Sequence, residues 1–168
     1  MTSRPCGGRA RDYAGDVPFD LETRAAGDIT AAELYPLLRL RTDVFVVEQN
    51  CPYPELDGRD LHEGTVHVWA HDDGEVLGTI RVLEVHGLTP AIGRVATAPA
   101  ARGRGVASRL LRHGIGLCRP GAVIRLSAQA HLENWYERFG FQRDGAPYDE
   151  DGIPHVPMRR DPAATTNR

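Results

Sequence analysis

The chain of 168 residues contains no lysine; all 20 of its basic residues are arginine. That absence removes the nucleotide P-loop, which needs a lysine beside its second glycine to reach the phosphates. With the abundance of alanine and glycine, it also points to a GC-rich bacterial genome. Cysteine is scarce: Cys6, Cys51 and Cys118 cannot all pair and have no metal-ligand spacing, which fits a reducing compartment. The seven histidines show no metal-binding spacing on a helix, so no metal is expected. There is no excess of positive charge: the formal charge of −3 argues against nonspecific nucleic-acid binding. No apolar run approaches membrane-spanning length, and residues 1–18 carry no apolar core of a secretory signal. A soluble, cytoplasmic protein with neither a membrane nor a nucleic-acid partner is the expectation.

What the chain does have is enough length for one self-sufficient core and an ordinary globular composition, 41% hydrophobic and 26% charged. Residues 1–18 are poor in large apolar side chains and read as a disordered tail. Residues 19–160 read as a single domain and 161–168 as a C-terminal tail. Phe19–Ala25 alternates as a strand. Thr30-Ala-Ala-Glu33 is a capping box opening a helix that runs to Gln49, with Pro36 distorting its first turns. A proline-rich loop, Asn50–Asp60, follows. Thr65–His71 and Glu75–Leu83 flank a hairpin signal at Asp72-Asp-Gly74. Then come a strand at Ala91–Thr97, a helix from Val106, a strand at Ala122–Ala130, a short helix at Leu132–Phe139, a strand starting at Phe141, an acidic turn at Pro147–Asp151 and an edge strand at His155–Arg160. The order is β, α, β-β-β, α, β, α, β-β, an α/β chain with a mixed sheet.

The stretch Arg94–Leu111 organises the rest. A short apolar strand is stopped by Pro99, and Arg102-Gly-Arg-Gly105 makes a tight turn. From Val106, apolar residues recur three and four apart through Leu110, Leu111, Ile115 and Cys118, the mark of an amphipathic helix. Free backbone amides and two guanidinium ions at a helix N-terminus make an anion cradle suited to phosphate or pyrophosphate. A dinucleotide fingerprint is not met, because Ser108 stands where its third glycine belongs.

The hexamer Arg102-x-x-Gly105-x-Ala107 resembles the pyrophosphate loop of the GNAT superfamily of acyl-CoA-dependent N-acyltransferases. Leu40–Tyr53, Leu126–His131 and Tyr136–Phe141 look like the ElaA-like branch of that family, and the resemblance spans roughly residues 19–160. It implies a mixed sheet splayed between its fourth and fifth strands with flanking helices, and an acetyl-CoA-dependent N-acetyltransferase in which a primary amine attacks the thioester. Acetyl-CoA is then the acyl-donor substrate. Its pyrophosphate falls to Arg102, Gly103, Arg104, Gly105, Val106, Ala107 and Ser108, and its pantetheine arm to the backbone of Val95, Ala96 and Thr97. Tyr136, in Tyr136-x-x-x-Gly140-Phe141, takes the role of general acid to the departing thiolate. Gln129 stands where the family carries asparagine, so contacts there differ in detail; Asn134 reads as a helix-surface residue. The general base has no motif here. Glu48 is the first candidate, followed by His67 and His155, with a water relay as the remaining option. Glu48, Glu55, Asp57, Asp60 and Glu63 crowd the loop bordering the acceptor side, which suggests a cationic amine acceptor. Lacking lysine, the chain offers the reaction no lysine amine of its own. A homodimer is an admissible assembly. Transfer of another acyl group and a noncatalytic acyl-CoA-binding module stay open as alternatives.

Overall fold

The computed structural model describes residues 19–162, so the tail expected over 1–18 and most of the C-terminal one lie outside the described residues. Strand β1 (Asp20–Ala25) leads into α1 (Ala31–Arg41). The capping box forms as its sequence predicts: the Glu33 amide donates to the Thr30 hydroxyl, and the Thr30 amide donates to the Glu33 carboxylate. Pro36 lies inside α1 without ending it.

The helix does not reach Gln49 as an α-helix. From Thr42 to Glu48 it widens to a π-helix, whose amides reach five residues back: Gln49 donates to Val44 and Cys51 to Val46. This run is rich in β-branched residues, which crowd an α-helical turn. The wider turn sets Val44 inward and brings Val44, Phe45, Glu48 and Gln49 to the wall of the cleft described below.

Strands β2 (Val66–Asp72) and β3 (Glu75–Leu83) form the expected hairpin. Asp73 and Gly74 at its tip have φ of 47° and 84°, the two left-handed residues of a type I′ turn. Strand β4 (Ala91–Thr97), helix α2 (Val106–Leu117), strand β5 (Ile124–Gln129) and short helix α3 (Glu133–Glu137) follow, then β6 (Gln142–Arg143). The acidic turn expected at Pro147–Asp151 is instead strand β7 (Tyr148–Glu150), a turn at Asp151-Gly152, and β8 (Ile153–Arg160), which starts before His155. Asp151 and Gly152 have φ of 52° and 83°, and the Asp149 carboxylate accepts from the Gly152 amide, so this Asp-Gly pair makes a second hairpin.

The sheet runs β1-β2-β3-β4-β5-β8-β6, with β7 also on β8, and only the β4–β5 pair is parallel. One face of its first half, with Val68, Ile80 and Val82, packs on Val106, Leu110 and Leu111 of α2. A Cβ on Gly114 would stand 2.5 Å from Ile80 Cδ1, so a glycine there lets α2 approach β3 closely. On the opposite face α1 covers β3 and β4, and Leu40, Val44 and Ala96 cluster there. The architecture is a mixed α/β sheet with helices on both faces.

Candidate functional site

Strands β4 and β5 pair at Ala91 and Arg125 and then part, while β5 stays paired with β8 from Ile124 to Gln129. The parting opens a cleft of about 880 Å³. Its β4 wall carries a bulge. Arg81 faces Gly93 and Thr79 faces Ala96, so β4 passes two residues where β3 passes one, and Arg94 takes a left-handed φ of 54°. Beyond the bulge the Ala98 amide donates to Leu77 of β3. By strand alternation Ala96 shares that edge, and the amides of Val95 and Thr97 turn toward the gap. Val95 and Thr97 line the cleft, whereas the Ala96 side chain is buried in the core.

At the end of β4 the turn Pro99–Ala101 delivers the glycine-rich loop to α2. Gly103 and Gly105 have φ of 77° and 75°, a conformation costly for other residues, and a Cβ on either would meet no protein atom within 4 Å. The N-terminus of α2 has no side-chain cap and no acidic residue in its first turn. Its first turn-closing bond runs from Arg109 to Gly105, which leaves the amides of Val106, Ala107 and Ser108 facing outward. The Val106 side chain is itself core, so that residue offers its backbone only. Arg104 keeps Nε and Nη2 without a hydrogen-bond partner, with the Asp72 carboxylate 3.8 Å away. Arg102 Nη2 lies 2.7 Å from Glu48 Oε2, and this guanidinium holds the Glu48 carboxyl below its usual range.

Tyr136 reaches the cleft from α3. Its ring is buried edge-on between Trp135 and Phe141, at centroid distances of 4.8 and 6.1 Å. Burial alone pushes its phenol up to about 12, with no neighbouring charge contributing. Across the cleft the Gln129 amide donates to Gln49 Oε1 at 2.9 Å, tying the end of β5 to the end of the π-helix. Of the residues predicted from sequence, Glu48, Asp57, Val95, Thr97, Arg102, Gln129, Tyr136 and His155 meet at this cleft. The loop from Gly103 to Ser108 sits beyond the cleft lining, and Asn134 is exposed on α3.

The acidic loop differs from its expectation. Glu55, Asp57 and Asp60 are not a free anionic patch but half of an internal ion network. Arg41 binds Glu55 and Asp60; Arg81 binds Asp57 through both nitrogens and also reaches Asp60; Arg94 sits between Glu55 and Asp57. The Tyr53 hydroxyl donates to Glu55. Arg81 holds the Asp57 carboxyl far below the usual range. Three acids thus meet three arginines with no charge left over. His67, a candidate base, is 1% exposed and donates Nε2–H to the Asp60 carbonyl at 2.8 Å, so it belongs to this buried layer. Burial pushes its imidazole pKa down. Sequence reasoning missed the arginine partners, which lie on α1, β3 and β4 with no local pattern to announce them. It also missed Glu150 and Asp151 at the cleft, for which the Asp151-Gly152 dipeptide was an available turn signal.

Residues 41–162 match the family model described as acetyltransferase (GNAT) domain. A relative from Mycobacterium tuberculosis is 49% identical over 144 residues, covering 80% of this chain and 88% of the relative. ElaA of Escherichia coli is 41% identical over 139 residues, covering 80% of this chain and 91% of ElaA. The crystal structure of E. coli ElaA superposes with a TM-score of 0.80, over 86% of this chain and all of the other, at 36% identity. An acyl-CoA N-acyltransferase from Pseudomonas aeruginosa superposes with a TM-score of 0.79, over 85% of this chain and 99% of that structure, at 43% identity.

Proposed function

This chain belongs to the GNAT acetyltransferase family, and from that premise we propose that it is an acetyl-CoA-dependent N-acetyltransferase acting on a primary amine. The observation that carries the reading is the β4–β5 gap, which has an anion cradle at one end and Tyr136 on its wall. The loop fits a diphosphate: left-handed glycines with open space before them, an uncapped helix N-terminus, and two orphaned donors on Arg104. Arg102, Gly103, Arg104, Gly105 and the first amides of α2 would hold the pyrophosphate. The gap-facing backbone of Val95 and Thr97 would hold the pantetheine arm, with Gln129 on the far wall. Ala96 turns its backbone to β3, so its part is to fix the register of its two neighbours.

The bound acyl donor supplies a thioester for the amine to attack. What the chain adds is proton management and exclusion of water. A simple amine with a pKa near that of lysine is uncharged in roughly one molecule in a few thousand at pH 7. The departing thiolate needs a proton, and the Tyr136 phenol, raised by burial, stays protonated throughout the working range. Glu48 enters the proposal as the carboxylate that Arg102 keeps ionised, equipped to hold an ammonium group rather than to take its proton.

The test is a panel of primary amines with acetyl-CoA, followed by free-thiol release and by mass of the product. Thiol release that depends on an amine, with acetyl-CoA preferred over longer acyl donors, is the expected result. Tight acyl-CoA binding with no thiol release on any amine would make the chain a binding module and refute the reading.

A further inference from the structure

His155 sits on β8 directly opposite Gln129 of β5 and opposite Tyr148 of β7. Residues opposite one another in an antiparallel ladder share a face, so these three side chains stand on one side of the sheet. The other side of the same strands carries Leu126, Ala128, Val156 and Met158, which belong to the core with Tyr136 and α2. The cleft between β4 and β5 is therefore approached by Tyr136 from one face and by His155 from the other, and both line it.

The ring of His155 is held in one tautomer. Nδ1 lies 2.8 Å from the Ile153 carbonyl oxygen, and a carbonyl only accepts, so Nδ1 carries the proton. In the neutral ring Nε2 is then a bare lone pair. The side chain is 14% exposed and its ring stacks on Tyr148, which limits its rotation. Ionisable groups accompany it on its hairpin. Glu150 of β7 comes within 3.7 Å of Nδ1, Tyr148 of β7 is tied to Ser127, and Asp151 lines the cleft from the hairpin turn. From β5 the facing residue is the neutral Gln129. Three other groups at the cleft lack these features. Glu48 is held by Arg102, Asp57 is held by Arg81, and His131 stands exposed on the turn after β5.

We propose that His155 Nε2 is the general base that deprotonates the acceptor amine, working from the sheet face opposite the acid Tyr136. The inference rests on the acetyltransferase reading above. Nε2 takes a proton from the acceptor ammonium, breaking an N–H bond, and passes it to cleft water. The freed lone pair forms the bond to the thioester carbonyl carbon. As the C–S bond breaks, sulfur takes the Tyr136 proton. The new amide nitrogen loses its second proton to Nε2, and that proton returns to the tyrosinate. One proton leaves to solvent for each acetyl group moved. Base and acid are needed at the two ends of one displacement, and the two faces of the splayed sheet supply one each.

The experiment has two readouts on the full chain. In 15N-labelled protein, with the ring assigned by the signal missing from His155→Gln, long-range proton–nitrogen spectra at pH 8 should show protonated Nδ1 and bare Nε2. The reverse tautomer overturns the proposal. With acetyl-CoA saturating and the best amine of the panel, kcat/KM of His155→Gln should fall by roughly 10²–10⁴, the worth of a positioned base. Acetyl-CoA affinity and melting temperature should stay put. The loss should shrink by about one power of ten or more for the same amine fluorinated beside its nitrogen, which is largely neutral at pH 7. A His155→Gln enzyme within about threefold of wild type, below the usual worth of a general base, overturns the assignment while leaving the acetyltransferase standing. So does an equal loss on both amines. If wild type releases thiol on no amine of the panel, the acetyltransferase reading falls and takes this inference with it.

Discussion

Replacing Arg41 by methionine should destabilise the protein strongly and loosen the loop that carries Tyr53, Asp57 and Arg59 to the cleft. Arg41 is 1% exposed at the end of α1, and its partners Glu55 and Asp60 are 3% and 7% exposed. Methionine fills much of the volume but leaves two carboxylates facing the interior. Removing one member of a buried ion pair typically costs about 3–5 kcal/mol. Here the lower end applies, because each acid keeps a second arginine: Glu55 has Arg94 Nε at 2.9 Å and Asp60 has Arg81 Nη1 at 3.0 Å. About 3 kcal/mol in a domain of this size lowers Tm by roughly 6–12 °C. Calorimetry would measure that shift, with agreement of calorimetric and van't Hoff enthalpies as the check on two-state unfolding. The double variant Arg41→Met/Glu55→Gln should recover about 1 kcal/mol or more, since the stranded charge is gone. The loop carries Tyr53, Asp57 and Arg59 to the cleft, so KM for the amine should rise while acetyl-CoA affinity does not. A Tm within about 2 °C of wild type, less than 1 kcal/mol on the same scale, would refute the idea that this layer holds the loop.

Three further outcomes follow from the site. Tyr136→Phe keeps the ring packing and should lower kcat by roughly 10²–10⁴ with little change in Tm; because burial holds the phenol at about 12, wild type should show no tyrosine-derived alkaline limb below pH 10, and such a limb in steady-state profiles would count against Tyr136. Gly105→Val places a β-branched residue at φ 75° and its side chain in the open space of the cradle, so acetyl-CoA Kd by calorimetry should rise steeply at a stability cost of about 1–3 kcal/mol; unchanged Kd would remove the loop from the site. Asp57, held low by Arg81, contributes stability that is present above its unfolded value near pH 4 and is lost as pH falls through its lower folded value. Asp57→Asn should therefore be less stable at neutral pH and should flatten the acid side of a Tm-against-pH curve, and an unchanged curve would speak against the pairing.

The strand–loop–helix from Ala91 to Leu117, the capping box at Thr30 and Glu33 and the Asp73-Gly74 hairpin were all legible in the sequence. Each is written in residues within a turn or two of one another: backbone conformation at a glycine, a hydroxyl three residues before a carboxylate, apolar spacing of three and four. The left-handed turn at Gly103 and Gly105 was legible for the same reason, and the motif around Tyr136, whose role stays a proposal, is equally local. The second hairpin at Asp151-Gly152 was equally local, and its signal was masked by the acids around it, which read as a solvated turn. Tertiary structure alone decided that the acids of the 50–60 loop are paired with arginines. Arg94 meets the Glu55 carbonyl across 39 positions and Arg81 meets Asp57 across 24, distances in sequence at which no pattern survives and only sheet register brings the groups together. The bulge at Arg94 is likewise a mismatch between two strands, not a property of either. The facing of the His155 ring is tertiary in the same way, since Tyr148 of β7 stacks against it. A residue's conformational preference is carried by its own atoms and near neighbours; its ionisation and its direction are set by whatever the fold places beside it.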